Sequence, residues 1–305
     1  MSSTNAESPL SSSPELSVVI PSVNGLRYLS DCLEALERNA PGAEVVVADS
    51  TDADTRRAVS ERFPGVRLIA FDEPKTVPEL RAAGIAAAHA PHVALIEDHS
   101  IVRDGWARRL LDRHGEGRAV VGGPVKNTAV RRIRDWAAFF CEYSEHMEPM
   151  TSGPTDSLTS VNISYDRQAI GLMDDLLREG RWETFLHPHL MASGVQLYAD
   201  GDGGLDHDKD FGFFEFASQR FHYSRSHAGM RNPELGWKRA VYVAGSPLLV
   251  PMMYRRIAGN VMRKRRHRGR FLLATPLLLV YLAVYAAGEA VGYAFGGGQS
   301  LLKVK

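Results

Sequence analysis

Three ionisable side chains in a row, Glu97, Asp98 and His99, close the apolar run VALI at residues 93–96. Side chains alternate along an extended segment, so Glu97 and His99 share one side and Asp98 faces the other. A carboxylate and an imidazole on one side are ligands for a divalent cation, Mn2+ or Mg2+ among others. A diphosphate would complete such a shell, and the cation would neutralise charge growing on a departing phosphate oxygen. A helix cap needs only one polar side chain, so capping does not account for the triplet.

The surrounding sequence supplies a scaffold for that triplet. LSVVIP (16–21), AEVVVADS (43–50), VRLIAFD (66–72) and VALIE (93–97) are short apolar runs that read as strands. LRYLSDCLEALERN, TDADTRRAVSERF and PELRAAGIAAAHA (78–90) fall between them and read as helices. Apolar strands separated by helices imply an α/β, doubly wound, mostly parallel sheet with flanking helices. Such sheets bind ligands beyond the carboxyl ends of their strands. Pro21 to Asn24, Asp49, Asp72 and Glu97 to His99 all fall there. Asp49, taken alone, reads as a local cap. No GxGxxG follows the first strand and no GxxxxGK[ST] occurs anywhere. Dinucleotide oxidoreductases and P-loop enzymes would therefore lack their phosphate cradle. A nucleotide here would be held through a divalent cation instead.

The chain has 305 residues and a formal net charge of zero, which indicates neither a nucleic-acid partner nor an acidic one. Cys32 and Cys141 both lie in helix-like stretches and read as buried thiols of a reducing compartment. Residues 1–15 are polar and serine-rich, a disordered tail rather than a secretory signal. The apolar segment 241–254 is too short to span a bilayer and reads as re-entrant or interfacial. A basic run from Arg255 to Arg270 then precedes residues 271–295, whose only acid is Glu289. That stretch is long enough for a transmembrane helix, with a buried core helix as the alternative. The basic flank predicts a catalytic domain on the cytoplasmic face and attraction to membrane lipids with anionic headgroups.

The succession SVVIPSVNG, VVVADS, RAAGIAAA and VALIEDH resembles the inverting family-2 glycosyltransferases of GT-A fold. The resemblance covers roughly residues 16–215. It implies that Pro21, Val23 and Asn24 line a nucleotide pocket and that Asp49 holds the nucleobase or ribose. Arg81 and Gly84 match the family's Arg-x-x-Gly. The metal-binding Asp-x-Asp falls on Glu97-x-His99, a departure in both flanking residues, with Asp98 between them turned toward the donor sugar. Asn162 and Ser164 correspond to a segment bordering the sugar, where they bond its hydroxyls or satisfy backbone at a turn. The family's catalytic carboxylate at a helix start falls on Glu183, beside Trp182 on the acceptor side; Glu179 is the neighbouring alternative. His207 matches a histidine that closes this part of the fold, as a further metal ligand or as a loop anchor. Gln219 and Arg220 partly match a Gln-x-x-Arg-Trp element that closes over the donor diphosphate.

The resulting expectation has three regions. Residues 1–15 form the tail, and 16–230 a glycosyltransferase domain with a nucleotide-binding half (16–125) and an acceptor half (126–230). Residues 231–305 form a membrane-associated region with a transmembrane helix at 271–295. The function implied is transfer of a sugar, with inversion, from a nucleotide-diphosphate sugar to a lipid-linked or cell-envelope glycan acceptor. Two alternatives are a non-catalytic nucleotide-sugar-binding membrane protein and a nucleotidyltransferase.

Overall fold

The computed structural model describes residues 13–304, so nearly all of the expected tail lies outside the described residues. Strands β1 (Leu16–Ser22), β2 (Glu44–Asp49), β3 (Arg67–Ala70) and β4 (His92–Ile96) alternate with helices α1 (Leu26–Asn39), α2 (Ala53–Arg62) and α3 (Val77–Ala87). β1 is buried at every position, as a strand covered on both faces must be. α1 buries Leu29, Cys32, Leu33 and Leu36 at helical spacing. Asp52 caps α2 by accepting the Thr55 N–H, and Thr76 and Glu79 form a capping box on α3. A Cβ added at Gly84 would stand 2.3 Å from Val19 Cγ1. Glycine there lets α3 lie directly on β1 and carries Arg81, one turn earlier, over the strand ends.

The chain continues through β5 (Ser100–Val102), α4 (Trp106–Gly115), β6 (Val120–Gly122), β7 (Val125–Asn127) and α5 (Ile133–Tyr143). Next come β8 (Gly153–Thr155), β9 (Asn162–Asp166), α6 (Arg167–Leu172), α7 (Asp174–Arg178) and α8 (Glu183–Ala192). β10 (Leu197–Ala199), β11 (Leu205–His207) and the long α9 (Phe213–Leu235) complete this part.

The main sheet has the order β3-β2-β1-β4-β9-β6-β10-β8. β1 to β4 are mutually parallel where they pair, but β9 runs against both β4 and β6, and β8 against β10. The sheet is therefore mixed. β9 follows β8 through an irregular loop rather than a crossover helix, so no handed βαβ connection sets its direction. Strands from both sides of residue 125 share this sheet, and α9 runs through residue 230. A second sheet, β5-β11-β7, pairs Ser100 with His207 across the β5–β11 ladder. That register brings the end of the Glu97–His99 turn to a residue more than a hundred positions away.

The C-terminal part forms α10 (Arg239–Gly245), α11 (Leu249–Lys264) and α12 (Arg268–Phe295). The apolar segment 241–254 is thus split between α10, a 3-10 turn at Ser246–Leu248 and the start of α11. α12 is long and apolar enough to cross a membrane by length and composition. Its inner stripe, including Phe271, Leu278 and Tyr281, belongs to the same hydrophobic core as Leu33, Trp106 and Phe140. The opposite face of the main sheet packs Val19, Ile85, Leu95 and Tyr165 against Leu190 of α8. Cys32 and Cys141 are both free thiols.

Candidate active site

The turn that follows β4 directs its three polar side chains two ways. Asp98, 1% exposed, points back under β1. It accepts the Val23 and Asn24 backbone N–H groups at 2.9 and 2.8 Å and the Asn24 side-chain amide at 2.8 Å. It therefore does not face a donor sugar, as the sequence suggested; adjacency of β1 and β4 makes it the tie between their two ends. Its remaining partner is His99 Nδ1, at 2.9 Å. With Nδ1–H donated to Asp98, the His99 Nε2 lone pair is aimed the other way. Nε2 stands 3.0 Å from Glu97 Oε2 and 2.9 Å from His207 Nε2.

Glu97, His99 and His207 thus bring one ligand atom each to within 4.8 Å of one another. Adjacent ligands on a cation with bonds of about 2.1 Å are themselves about 3 Å apart, so the group fits a divalent ion. A carboxylate orienting a ligating imidazole through its other nitrogen is the usual support for such a site. The charges agree. Burial and then the nearby His99 hold the His207 imidazole well below its ordinary pKa, neutral and able to ligate. Burial works against ionisation of Glu97, but the His99 hydrogen bond and charge and the Arg81 charge outweigh it, keeping the carboxylate well below its usual range. Burial likewise opposes a charge on His99, and its bonds to Asp98 and Glu97 overcome this and raise its pKa. A cation would take the place of that proton on Nε2. The Tyr143 ring, 4.9 Å from that of His207, closes one side.

Arg81 joins this cluster to a second carboxylate. Its guanidinium lies 3.4 Å from Glu97 Oε1 and 3.3 Å from Glu183 Oε2. Glu183 is the first residue of α8 and Trp182 its N-cap, a position the helix dipole favours for an acid. All four residues line one cavity of about 480 Å3, together with Gln219, Arg220 and Tyr223 of α9. Three buried donors among its lining residues, Arg81 Nε, Trp182 Nε1 and Arg220 Nε, have no hydrogen-bond partner. Buried donors are seldom left unpaired, so a ligand is the natural acceptor. Arg220 forms a buried ion pair with Glu142 and lies over the Tyr223 ring at 5.1 Å.

Other sequence expectations change as well. Asn162 and Ser164 do not border a sugar. Both are completely buried in β9: Asn162 accepts from Trp106 Nε1 and donates to the Pro124 and Gly203 carbonyls, and Ser164 bonds His114 Nε2. A central strand consumes their capacity. The neighbouring Thr159 and Ser160, in the loop before β9, line the cavity instead. Asp49 is also fully engaged, by Ser22, Thr51 and Arg56, and is not an open acceptor. Pro21 is buried within β1. Val23 packs beside Val77 and Trp182, both cavity residues, and Asn24 accepts from Lys209 Nζ at 2.8 Å.

Several site residues were not singled out from sequence. Glu142, an acid within the aromatic run FFCEY, was the legible signal; Lys209, one cation among the acids of LDHDKD, was another. His187, Arg256 and Tyr285 line the cavity with no local pattern that marks them.

Comparison with known proteins agrees with this geometry. Residues 17–170 match the family model described as glycosyl transferase family 2. A 103-residue stretch is 32% identical to succinoglycan biosynthesis protein ExoO of Rhizobium meliloti, covering 33% of this chain and 30% of that protein. A 126-residue stretch is 28% identical to probable polypeptide N-acetylgalactosaminyltransferase 8 of Homo sapiens, covering 37% of this chain and 20% of that protein. The matches thus span less than a third of either relative. Among solved structures, the mannosyltransferase PcManGT of Pyrobaculum calidifontis, in complex with GDP-Man and Mn2+, superposes with a TM-score of 0.54 at 14% identity over 91% of this chain and 87% of that one. S. aureus TarS 1-349 in complex with UDP-GlcNAc gives 0.51 at 13% identity over 91% of each chain. These two likenesses are likenesses of fold. The chain belongs to glycosyl transferase family 2 and has an α/β fold like that of these two glycosyltransferase structures.

Proposed function

We propose that this glycosyltransferase takes a nucleotide-diphosphate sugar as donor, with a divalent cation held by Glu97, His99 and His207. The observation that carries this reading is the Arg81 bridge, which joins Glu97, the member of the ligand cluster that lines the cavity, to a second carboxylate on the same cavity, Glu183. The cation, when bound, supplies the positive charge that a leaving nucleoside diphosphate requires. Two imidazoles and one carboxylate suit Mn2+ better than Mg2+, which prefers oxygen alone. Arg81, with Nε unpaired, is placed to hold a diphosphate oxygen. Glu183 takes the proton of the acceptor hydroxyl as that oxygen attacks the anomeric carbon, and attack opposite the leaving group inverts the configuration. Trp182 and the loop of Thr159 and Ser160 form the wall against which a sugar would rest. Gln219 and Arg220 approach from α9, with Arg220 steered by Glu142.

The acceptor is a lipid-linked or envelope glycan, with the catalytic domain at the cytoplasmic face. Support comes from the cavity wall, part of which, Met253, Arg256 and Tyr285, belongs to the apolar C-terminal helices. A panel of UDP- and GDP-sugars, titrated by calorimetry with Mn2+ and with a chelator, tests the donor reading. Binding of at least one sugar nucleotide only with Mn2+ is expected. No binding to any of them defeats it. Binding without turnover in the presence of glycolipid extract leaves a non-catalytic sugar-nucleotide binder.

A further inference from the structure

The outward side of α12 carries no polar group over about three turns. Leu272, Leu273, Pro276, Leu279, Val280 and Ala283 are exposed at helical spacing, Leu272 and Leu273 being 63% and 64% exposed. A helix packed on a water-soluble domain ordinarily turns charged side chains outward. Elements that contact α12 add to the apolar surface: Leu248 is 63% exposed and Met252 64%. At the N-terminal end of this strip, the α11–α12 turn presents Arg263, Arg265, Arg266, Arg268 and Arg270, all exposed. Arg263 bonds Asn260 and Arg268 the Met262 carbonyl; among the described residues none of the five pairs with a carboxylate. An apolar strip ending in unpaired cations is complementary to a lipid surface bearing negative headgroups.

The inner side decides how α12 meets that surface. Phe271 packs on Phe140 of α5 at 5.5 Å, and Tyr293 accepts a hydrogen bond from Arg231 of α9. Between them the backbones of α12 and α9 touch. A Cβ at Gly288 would lie 2.1 Å from Ser224 Oγ, and one at Gly292 2.5 Å from the Arg225 carbonyl oxygen. From Phe271 to Tyr293 the helix runs roughly 33 Å, the thickness of a bilayer's hydrocarbon, clamped along its length to the domain. α9 carries Gln219 and Arg220 into the cavity. Driving α12 across a membrane would strip it from α9 or drag those polar residues into hydrocarbon, which costs heavily.

We propose that α12 is not a membrane span but lies in the plane of an anionic bilayer surface, apolar strip toward the acyl chains and Arg263–Arg270 among the headgroups. This goes beyond the catalytic reading and depends on none of its residue roles. Flotation of the full-length protein, without detergent, with phosphatidylcholine vesicles containing or lacking phosphatidylglycerol tests it. Binding to the phosphatidylglycerol vesicles is expected. Each arginine near an anionic surface is worth roughly fivefold in partitioning, so Arg265→Ala with Arg266→Ala should weaken that binding about 25-fold. Leu272→Glu with Leu273→Glu should abolish flotation while leaving thermal unfolding unchanged, since both side chains are exposed. Arg266→Cys and Gln299→Cys, at the two ends of α12, should react with a membrane-impermeant maleimide from the same side of sealed vesicles. Labelling from opposite sides overturns the proposal in favour of a span. Failure to float overturns it too, as does a dimer in light scattering that the leucine variant dissociates, because the strip would then be a contact between copies of the chain.

Discussion

Replacing Asp98 by asparagine keeps the shape of a 1% exposed side chain and changes one atom from acceptor to donor. Four N–H groups converge on this carboxylate: Val23 and Asn24 backbone on Oδ2, Asn24 side chain and His99 Nδ1 on Oδ1. If the surviving carbonyl keeps the two backbone donors, the new amide faces two others. Asn24 cannot reverse its amide without losing Lys209 from Oδ1. His99 can accept instead of donate only by shifting its proton to Nε2, the nitrogen aimed at Glu97 and His207. Two hydrogen bonds to a charged acceptor at about 1.5–3 kcal/mol each, in a buried site, put the cost at about 3–5 kcal/mol, the range for breaking a buried charge pair. Urea unfolding without metal should show that loss at unchanged m-value. Mn2+ affinity should fall by about 10–100-fold, as for loss of an orienting carboxylate. If Asp98 faced the donor sugar instead, the variant would keep its stability within about 0.5 kcal/mol and bind Mn2+ normally. That result would refute the reasoning.

Other expectations follow from the same contacts. Glu183→Gln should lower transfer by about 10²–10⁴-fold while donor affinity with Mn2+ persists; equal turnover in a glycolipid assay would remove Glu183 as the base. Gly84→Ala forces Cβ to within 2.3 Å of Val19 and should cost about 1–3 kcal/mol in chemical denaturation, recovered in large part by Val19→Ala. Burial, then the stacked His92, holds His114 down to about 4 from 6.5. The unfolded chain therefore binds that proton first, and stability should fall by up to about 3 kcal/mol as pH drops from 6.5 to 4. His114→Gln should remove that part of the slope in urea titrations across this range, and an unchanged slope would contradict the assignment.

The parts of the molecule legible in sequence are those fixed by local patterning. The four apolar runs that became β1 to β4 have nothing but a buried sheet to join, and the polar residues after them had to gather at one edge. The Glu97–His99 pairing was readable because alternation acts over two residues. His207 needed a contact 108 positions away in sequence, set by the β5–β11 register, which no local pattern encodes. Asp98 was misread because its partners lie on β1, and the neighbouring order of strands does not appear in either segment. Asn162 and Ser164 were misread for a related reason: polar residues in a short strand look the same whether they face a cavity or, as here, the Trp106 and His114 side chains. The apolar run at 271–295 satisfies every compositional rule for a span. What no composition could show is that α9 lies along it, backbone against backbone at Gly288 and Gly292, so that one side of the helix packs on its own domain.

Titration of Mn2+ into the full-length protein and its Glu97→Ala and His207→Ala variants, followed by the same UDP- or GDP-sugar that the wild type binds, tests whether a Glu-His-His cluster does here what two aspartates do in the resemblance that first pointed to this site. One Mn2+ per chain is expected in the wild type, with the stoichiometric site and the metal-dependent sugar-nucleotide affinity lost together in both variants. Retention of the Mn2+ site, or of full sugar-nucleotide affinity, in either variant would contradict it.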